Sequence, residues 1–285
     1  MATAVNAPRI VHATLPDGYR AAVRVWEPPR PIGRIVHVHG VISHGGWYLR
    51  SSAHLAASGF EVHFLDRRGS GLNFEARGDT PGHEQWLADV ETYVESLEPG
   101  LPTLLFGMSW GGKLTAAVAR HRPDLLAGIA LLCPGLYARV DPTALQMTFL
   151  RLARATGLAG MRVTIPLQEP ALFTDMAAWQ DYIRTDPLTL RRATIRFLAA
   201  DRALSRYATA APEEITVPTL CVLAGADRIT DNDRVRNFVA GLGGPTRIID
   251  YQGSAHTIEF DPAAGRYFAD LASWASDLLA GREGR

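Results

Sequence analysis

An α/β fold, with a mostly parallel sheet carrying helices on both faces, is the expectation for this 285-residue chain. Three observations lead to it. From Gly33 onward, apolar strand-like runs alternate with segments of helical composition, the rhythm of a parallel sheet covered on both sides. The pentapeptide Gly107-Met108-Ser109-Trp110-Gly111 sits at the junction of one such strand and helix, with small residues two before and two after a serine. Finally, 47% apolar residues over this length suffice for one large core plus an insertion.

Arg9–Leu15 and Tyr19–Trp26 alternate in polarity around Pro16-Asp17-Gly18, so the chain opens with a hairpin. After the breaker Pro28-Pro29-Arg30-Pro31 come strand Arg34–His39, helix Ser51–Ser58 and strand Phe60–Leu65. Helix His83–Leu97 follows, with its apolar face at Trp86, Leu87, Val90 and Val94. Strand Leu101–Phe106 then turns into the Ala-rich helix that starts near Gly112, and Gly128–Cys133 is the sixth strand. Between Ala138 and Pro212 the rhythm breaks. That stretch holds only helical segments, Ala144–Thr156, Met176–Thr185 and Thr189–Ala200. Strand Val217–Leu223, helix Asp231–Gly241, strand Thr246–Tyr251 and helix Pro262–Leu279 complete an eight-stranded sheet. The expected organisation is therefore a core of residues 1–137 and 213–285, with a helical cap of residues 138–212 inserted after the sixth strand.

The charge balance, 29 basic against 29 acidic residues with no basic run, excludes a nucleic-acid footprint. The first residues, Met1 to Asn6, show no basic stretch leading into an apolar one, and no apolar run reaches membrane-spanning length. The expectation is a cytoplasmic protein. Cys133 and Cys221 lie in apolar strand-like runs and read as reduced core residues, a disulfide between them being the weaker alternative. No metal site and no cofactor is expected. No His/Cys/Asp/Glu cluster has ligand spacing, and Gly69-Ser70-Gly71 leads into no helix that would make it a dinucleotide fingerprint. The surrounding Asp66–Gly71 turn reads as a brace for neighbouring loops.

A sharp strand–Ser–helix turn exposes the serine hydroxyl in strained backbone geometry beside free helix N–H groups. Serine is a weak nucleophile at neutral pH, so it requires a base and an acid that orients the base. In this topology the acid and then the histidine should each follow a later strand. Strand Val217–Leu223 leads to Asp227, and strand Thr246–Tyr251 leads to His256. Ser109, Asp227 and His256 are the candidate catalytic residues. Asp231 and Asp233 read as helix caps, and Asp141 is a remote alternative acid. An oxyanion needs aimed donors. The backbone N–H of Trp110 is one, and that of Val41 is the other, in a loop where Gly40 allows close approach and His44 is placed to orient the backbone.

These residues resemble the α/β-hydrolase superfamily along essentially the whole chain. His39-Gly40-Val41-Ile42-Ser43-His44 with Trp47-Tyr48, and Asp186-Pro187-Leu188 in the insertion, are similar to monoacylglycerol lipases and lysophospholipase-like hydrolases. The elbow Gly-Met-Ser-Trp-Gly-Gly and the Asp66–Gly71 turn look closer to proline iminopeptidases, although the His-Gly-Gly-Pro-Gly loop of those enzymes is absent. The resemblance implies a cofactor-free serine hydrolase acting on a small ester or thioester with an apolar acyl group. Candidate substrate contacts are Gly40, His44, Met108, Trp179 and Tyr182. A proline-type aminopeptidase, a carbon–carbon bond hydrolase and a non-catalytic receptor on the same fold stand as alternatives, and the apolar cap is a place for transient lipid contact.

Overall fold

The opening turn sets the edge of the sheet. Asp17 Oδ1 accepts from Tyr19 N at 3.1 Å and Gly18 adopts φ +82°, which folds β1 (Arg9–Thr14) back onto β2 (Arg20–Trp26). The computed structural model describes residues 7–139 and 157–283. β3 (Gly33–Val38), β4 (Phe60–Leu65), β5 (Thr103–Met108), β6 (Gly128–Leu132), β9 (Thr219–Ala224) and β10 (Thr246–Tyr251) complete an eight-stranded sheet in the order β1-β2-β4-β3-β5-β6-β9-β10. Only the β1–β2 and β2–β4 pairs are antiparallel. Every residue of β3, β5, β6 and β9 is buried, as continuous apolar runs in a sheet covered on both faces should be.

Crossover handedness distributes the helices. From β3 to β4 the chain moves one way through α1 (Leu49–Ala57). From β4 to β5 and from β5 to β6 it moves the other way, through α2 (His83–Glu95) and α3 (Trp110–His121). Right-handed connections therefore place α1 opposite α2 and α3. The contacts agree, with α1 against the C-terminal helix Ala264–Glu283 and α2 against α3. β3 and β5 are neighbours at the point where strand order reverses, so the loops at their carboxyl ends face one crevice.

The insertion between β6 and β9 departs from the helical expectation in two ways. Arg162–Thr164 (β7) and Arg192–Thr194 (β8) form a small antiparallel pair, each strand too short for period-2 alternation to show in sequence. The expected helix Thr189–Ala200 consequently begins later. Thr194 ends β8 and accepts from Phe197 N at 3.0 Å, which caps the helix Ile195–Thr209. Ala177–Thr185 (α4) and Ile195–Thr209 (α5) are the insertion helices among the described residues; Asn232–Ala240 is α6 and Ala264–Glu283 is α7. The expected helix Ala144–Thr156 and the alternative acid Asp141 lie outside the described residues.

Candidate active site

β5 ends at Met108, and Ser109 then takes φ +53°, ψ −117°, a conformation that only close packing on both sides sustains in a non-glycine residue. Gly111 supplies that packing: a Cβ there would lie 2.2 Å from Val38 O, so α3 starts hard against the end of β3. The Ser109 main chain is held by its N–H to Leu132 O at 2.8 Å, and its carbonyl accepts from Gly112 and Gly135 at 2.8 and 2.7 Å. Its Oγ lies 2.8 Å from His256 Nε2.

His256 follows β10 in a turn tied to β9, where Ala226 N donates to Ser254 O and Gly225 N to Tyr251 O. Its Nδ1 lies 2.7 Å from Asp227 Oδ2, and Asp227 Oδ1 accepts from Ile229 N at 2.8 Å and Thr230 N at 2.9 Å. Burial raises the Asp227 carboxyl, but the His256 ring and the two backbone donors outweigh it and hold the group below its ordinary value. An ionised Asp227 accepts the Nδ1 proton, which leaves Nε2 with a lone pair toward Ser109. Asp231, by contrast, caps α6 by accepting from Arg234 N.

The loop after β3 passes directly over the serine. A Cβ on Gly40 would meet Ser109 Cβ at 3.3 Å and Ser43 Oγ at 3.1 Å. Val41 is half-buried at the same edge. His44 turns this loop onto the insertion: Nδ1 accepts from Gly46 N at 3.0 Å, so Nε2 carries the proton and donates to Asp186 Oδ2 at 2.8 Å. The same oxygen accepts from Trp47 Nε1 at 2.8 Å and Thr189 Oγ1 at 3.0 Å. Burial works against the Asp186 charge, yet the His44 and Trp47 donors keep its carboxyl far below the usual carboxylate range.

A cleft beside Ser109 and His256 is lined by Gly40–Ser43, Trp47, Tyr48, Phe173 and Thr257. Of the candidate substrate contacts, Gly40 lies on it. His44 stands behind it, and Met108, 2% exposed, is paired with Leu132 inside the sheet. Trp179 stacks on Phe260 at 4.4 Å and Tyr182 sits edge-on to the lining residue Trp47 at 6.3 Å, so both join the insertion to the core without lining the cleft themselves. Phe173, Tyr48 and Ser43 also line the cleft. None stands among the candidate substrate contacts, although Ser43 and Tyr48 belong to the segment that carries the resemblance and Phe173 to the apolar residues of the insertion. Among the described residues no cluster of His, Cys, Asp or Glu could hold a metal ion.

The profile of the serine aminopeptidase S33 family (Hydrolase_4) matches residues 29–263. The human protein named monoglyceride lipase is 25% identical, over 96% of this chain and 91% of its own length. Phospholipase YtpA of Bacillus subtilis is 26% identical, over 86% and 98%. The crystal structure of Paleococcus ferrophilus monoacylglycerol lipase superposes with a TM-score of 0.78 at 24% identity, covering 91% of this chain and 98% of that one, and shows the shared fold. With most of its length matched by the profile, this α/β-hydrolase-fold chain belongs to the S33 serine aminopeptidase family.

Proposed function

We propose that the protein is a cofactor-independent serine hydrolase that cleaves a small carboxylic ester, or thioester, with an apolar acyl group. The observation that carries this reading is the unbroken line from Ser109 Oγ through His256 to Asp227, at 2.8 and 2.7 Å, opening on a cleft that has no Asp, Glu, Lys or Arg in its wall among the described residues. Ser109 attacks the acyl carbon while His256 Nε2 takes its proton, and Asp227 stabilises the imidazolium that forms. The Val41 and Trp110 N–H groups receive the oxyanion, and the first-turn position of Trp110 leaves its amide without an intrahelical partner. His256 returns the proton to the leaving alcohol, and water then releases the acid by the same route. The insertion, residues 138–212, acts as a cap over this cleft. Two free, buried cysteines suit the reducing cytoplasm we assign to it.

The family's name raises the aminopeptidase alternative, and the side chains speak against it. An α-ammonium needs a carboxylate facing the scissile bond. Among the described residues the insertion's acids are engaged elsewhere: Asp186 with His44 and Trp47, Asp175 with Arg228, Asp181 with Arg184, Asp201 with Trp110 and Lys113, and Glu169 in capping Ala171 N. Glu213 and Glu214 are exposed, the latter beside Arg120. The relatives named for glyceride and phospholipid hydrolysis fit the ester reading. Initial rates on p-nitrophenyl esters of two to twelve carbons, beside prolyl-p-nitroanilide, test it. We expect ester turnover that peaks at one chain length and disappears in Ser109→Ala; anilide turnover exceeding ester turnover would move the protein to the aminopeptidase branch.

A further inference from the structure

Arg67 is 3% exposed and carries a charge that no carboxylate contacts among the described residues. The neighbouring acids are taken: Asp66 by Arg24, Gly45 N and Leu72 N, Asp89 by Arg68 Nε and Nη2, and Asp201 by Trp110 Nε1 and Lys113. Among the described residues, Arg67 Nε and Nη1 find no hydrogen-bond acceptor. An apolar side chain would fill this place at lower cost, since an unpaired buried cation is destabilising. What the guanidinium does contact is specific. Nη2 donates to the carbonyl of Val41, and the guanidinium carbon lies 4.7 Å from the centre of the Trp110 ring and 5.3 Å from that of Phe197.

The Arg67 backbone acts on the same loop. Its N–H donates to His39 Nε2 at 3.1 Å, so the His39 proton is on Nδ1, which donates to Gly40 O at 2.7 Å. Gly40 O and Val41 N belong to one peptide group. A bond to that carbonyl both fixes the plane of the Val41 N–H and polarises it as a donor. The guanidinium bond to Val41 O then fixes the next peptide plane. Burial keeps His39 neutral by pulling its pKa down to about 3, so the ring's donor and acceptor do not exchange roles in the working pH range.

Building on the oxyanion role given above to Val41 and Trp110, we infer that Arg67 is the positioning residue of the oxyanion hole. It clamps both peptide planes flanking the Val41 Cα and holds its cationic face on Trp110, the other donor residue. Trp110 is fastened on its far side to the insertion, where Nε1 donates to Asp201 on α5 at 2.7 Å, and Lys113 reaches Asp201 and Ser205 at 2.7 and 2.8 Å. The geometry of the two donors and the seating of α5 therefore share one set of contacts.

The test uses the full chain and the best p-nitrophenyl ester, with the trifluoromethyl ketone of the same acyl chain as a probe whose adduct on Ser109 carries an oxyanion. Arg67→Met keeps the length and the packing but removes charge and donor. We expect kcat to fall about ten- to a hundred-fold, KM to stay within about threefold, and ketone affinity to fall in parallel with kcat. Arg67→Lys, which keeps the charge, should regain part of each loss. A merely structural arginine would lower the unfolding temperature and leave kcat and ketone affinity of the folded protein unchanged, and that result overturns the inference. If Arg67→Met does not fold, Arg67→Lys decides: wild-type kcat and ketone affinity overturn it, a joint loss at constant KM supports it. Absence of Ser109-dependent turnover in the wild type removes both the proposed function and this inference, whereas wild-type turnover matched by Arg67→Met removes only the latter.

Discussion

Glu259 lies three residues beyond His256 and is fully buried, with Oε1 accepting from Ser51 N at 3.1 Å and Oε2 without a partner among the described residues. Burial pushes its carboxyl up to about 7, from an ordinary value of 4.5, despite the Ser51 bonds and the nearby Arg50. The sign follows from proton counting. Between pH 4.5 and 7 the folded state holds a proton that the unfolded state has lost, so stability from this group falls as pH rises. The stabilising proton is fully matched below the unfolded pKa, and the full cost is reached above the folded one. A difference of about 2.5 units corresponds to about 3 kcal/mol, most of it developing between pH 5 and 8. Replacing Glu259 with Gln removes the titration and keeps the shape. Urea unfolding of both proteins across pH 5 to 8.5 should show the variant gaining on the wild type by about 2–3 kcal/mol toward alkaline pH. A difference between the two that does not change with pH would refute the argument.

Gly40→Ala places a methyl group between Ser109 and Ser43, so kcat should fall about a hundred-fold or more with the unfolding temperature nearly unchanged; unaltered kcat would mean the loop does not border the reacting centre. Asp227→Asn leaves the shape of the turn but removes the charge that orients His256, and steady-state kinetics should show kcat about a thousand-fold lower or worse. Asp186→Ala strands the His44 and Trp47 N–H donors in a buried site and should cost about 2–4 kcal/mol in denaturant unfolding at pH 7. Because the Asp186 carboxyl is held below its unfolded value, the wild type's advantage over this variant is present above about pH 4 and fades as pH drops further.

Much of this arrangement was readable from the chain, for identifiable reasons. Strands Phe60–Leu65 and Thr246–Tyr251 stand where their runs begin and end. Ser109, Asp227 and His256 could be picked out because each lies in the turn that follows a strand, and parallel strands deliver their carboxyl ends to one crevice. Local pattern failed where a partner far away in sequence decides the role. Asp186 meets His44 across 142 positions, and Arg67 reaches Val41 across 26, with no periodic signal to connect either pair. β7 and β8 have three residues each, below the length at which alternation can be recognised. Trp179 and Tyr182 occupy an apolar helical stripe, and periodicity shows that such a stripe is covered without showing whether substrate or Phe260 covers it.

The proposed chemistry rests on Ser109 acting as a nucleophile activated by His256. Intact-mass and peptide-mapping mass spectrometry after exposure to a fluorophosphonate measures this directly. We expect a single adduct on Ser109 in the wild type, formed far more slowly in His256→Ala and absent in Ser109→Ala. An adduct mapped to another residue, or a folded wild-type protein that takes none, would contradict it.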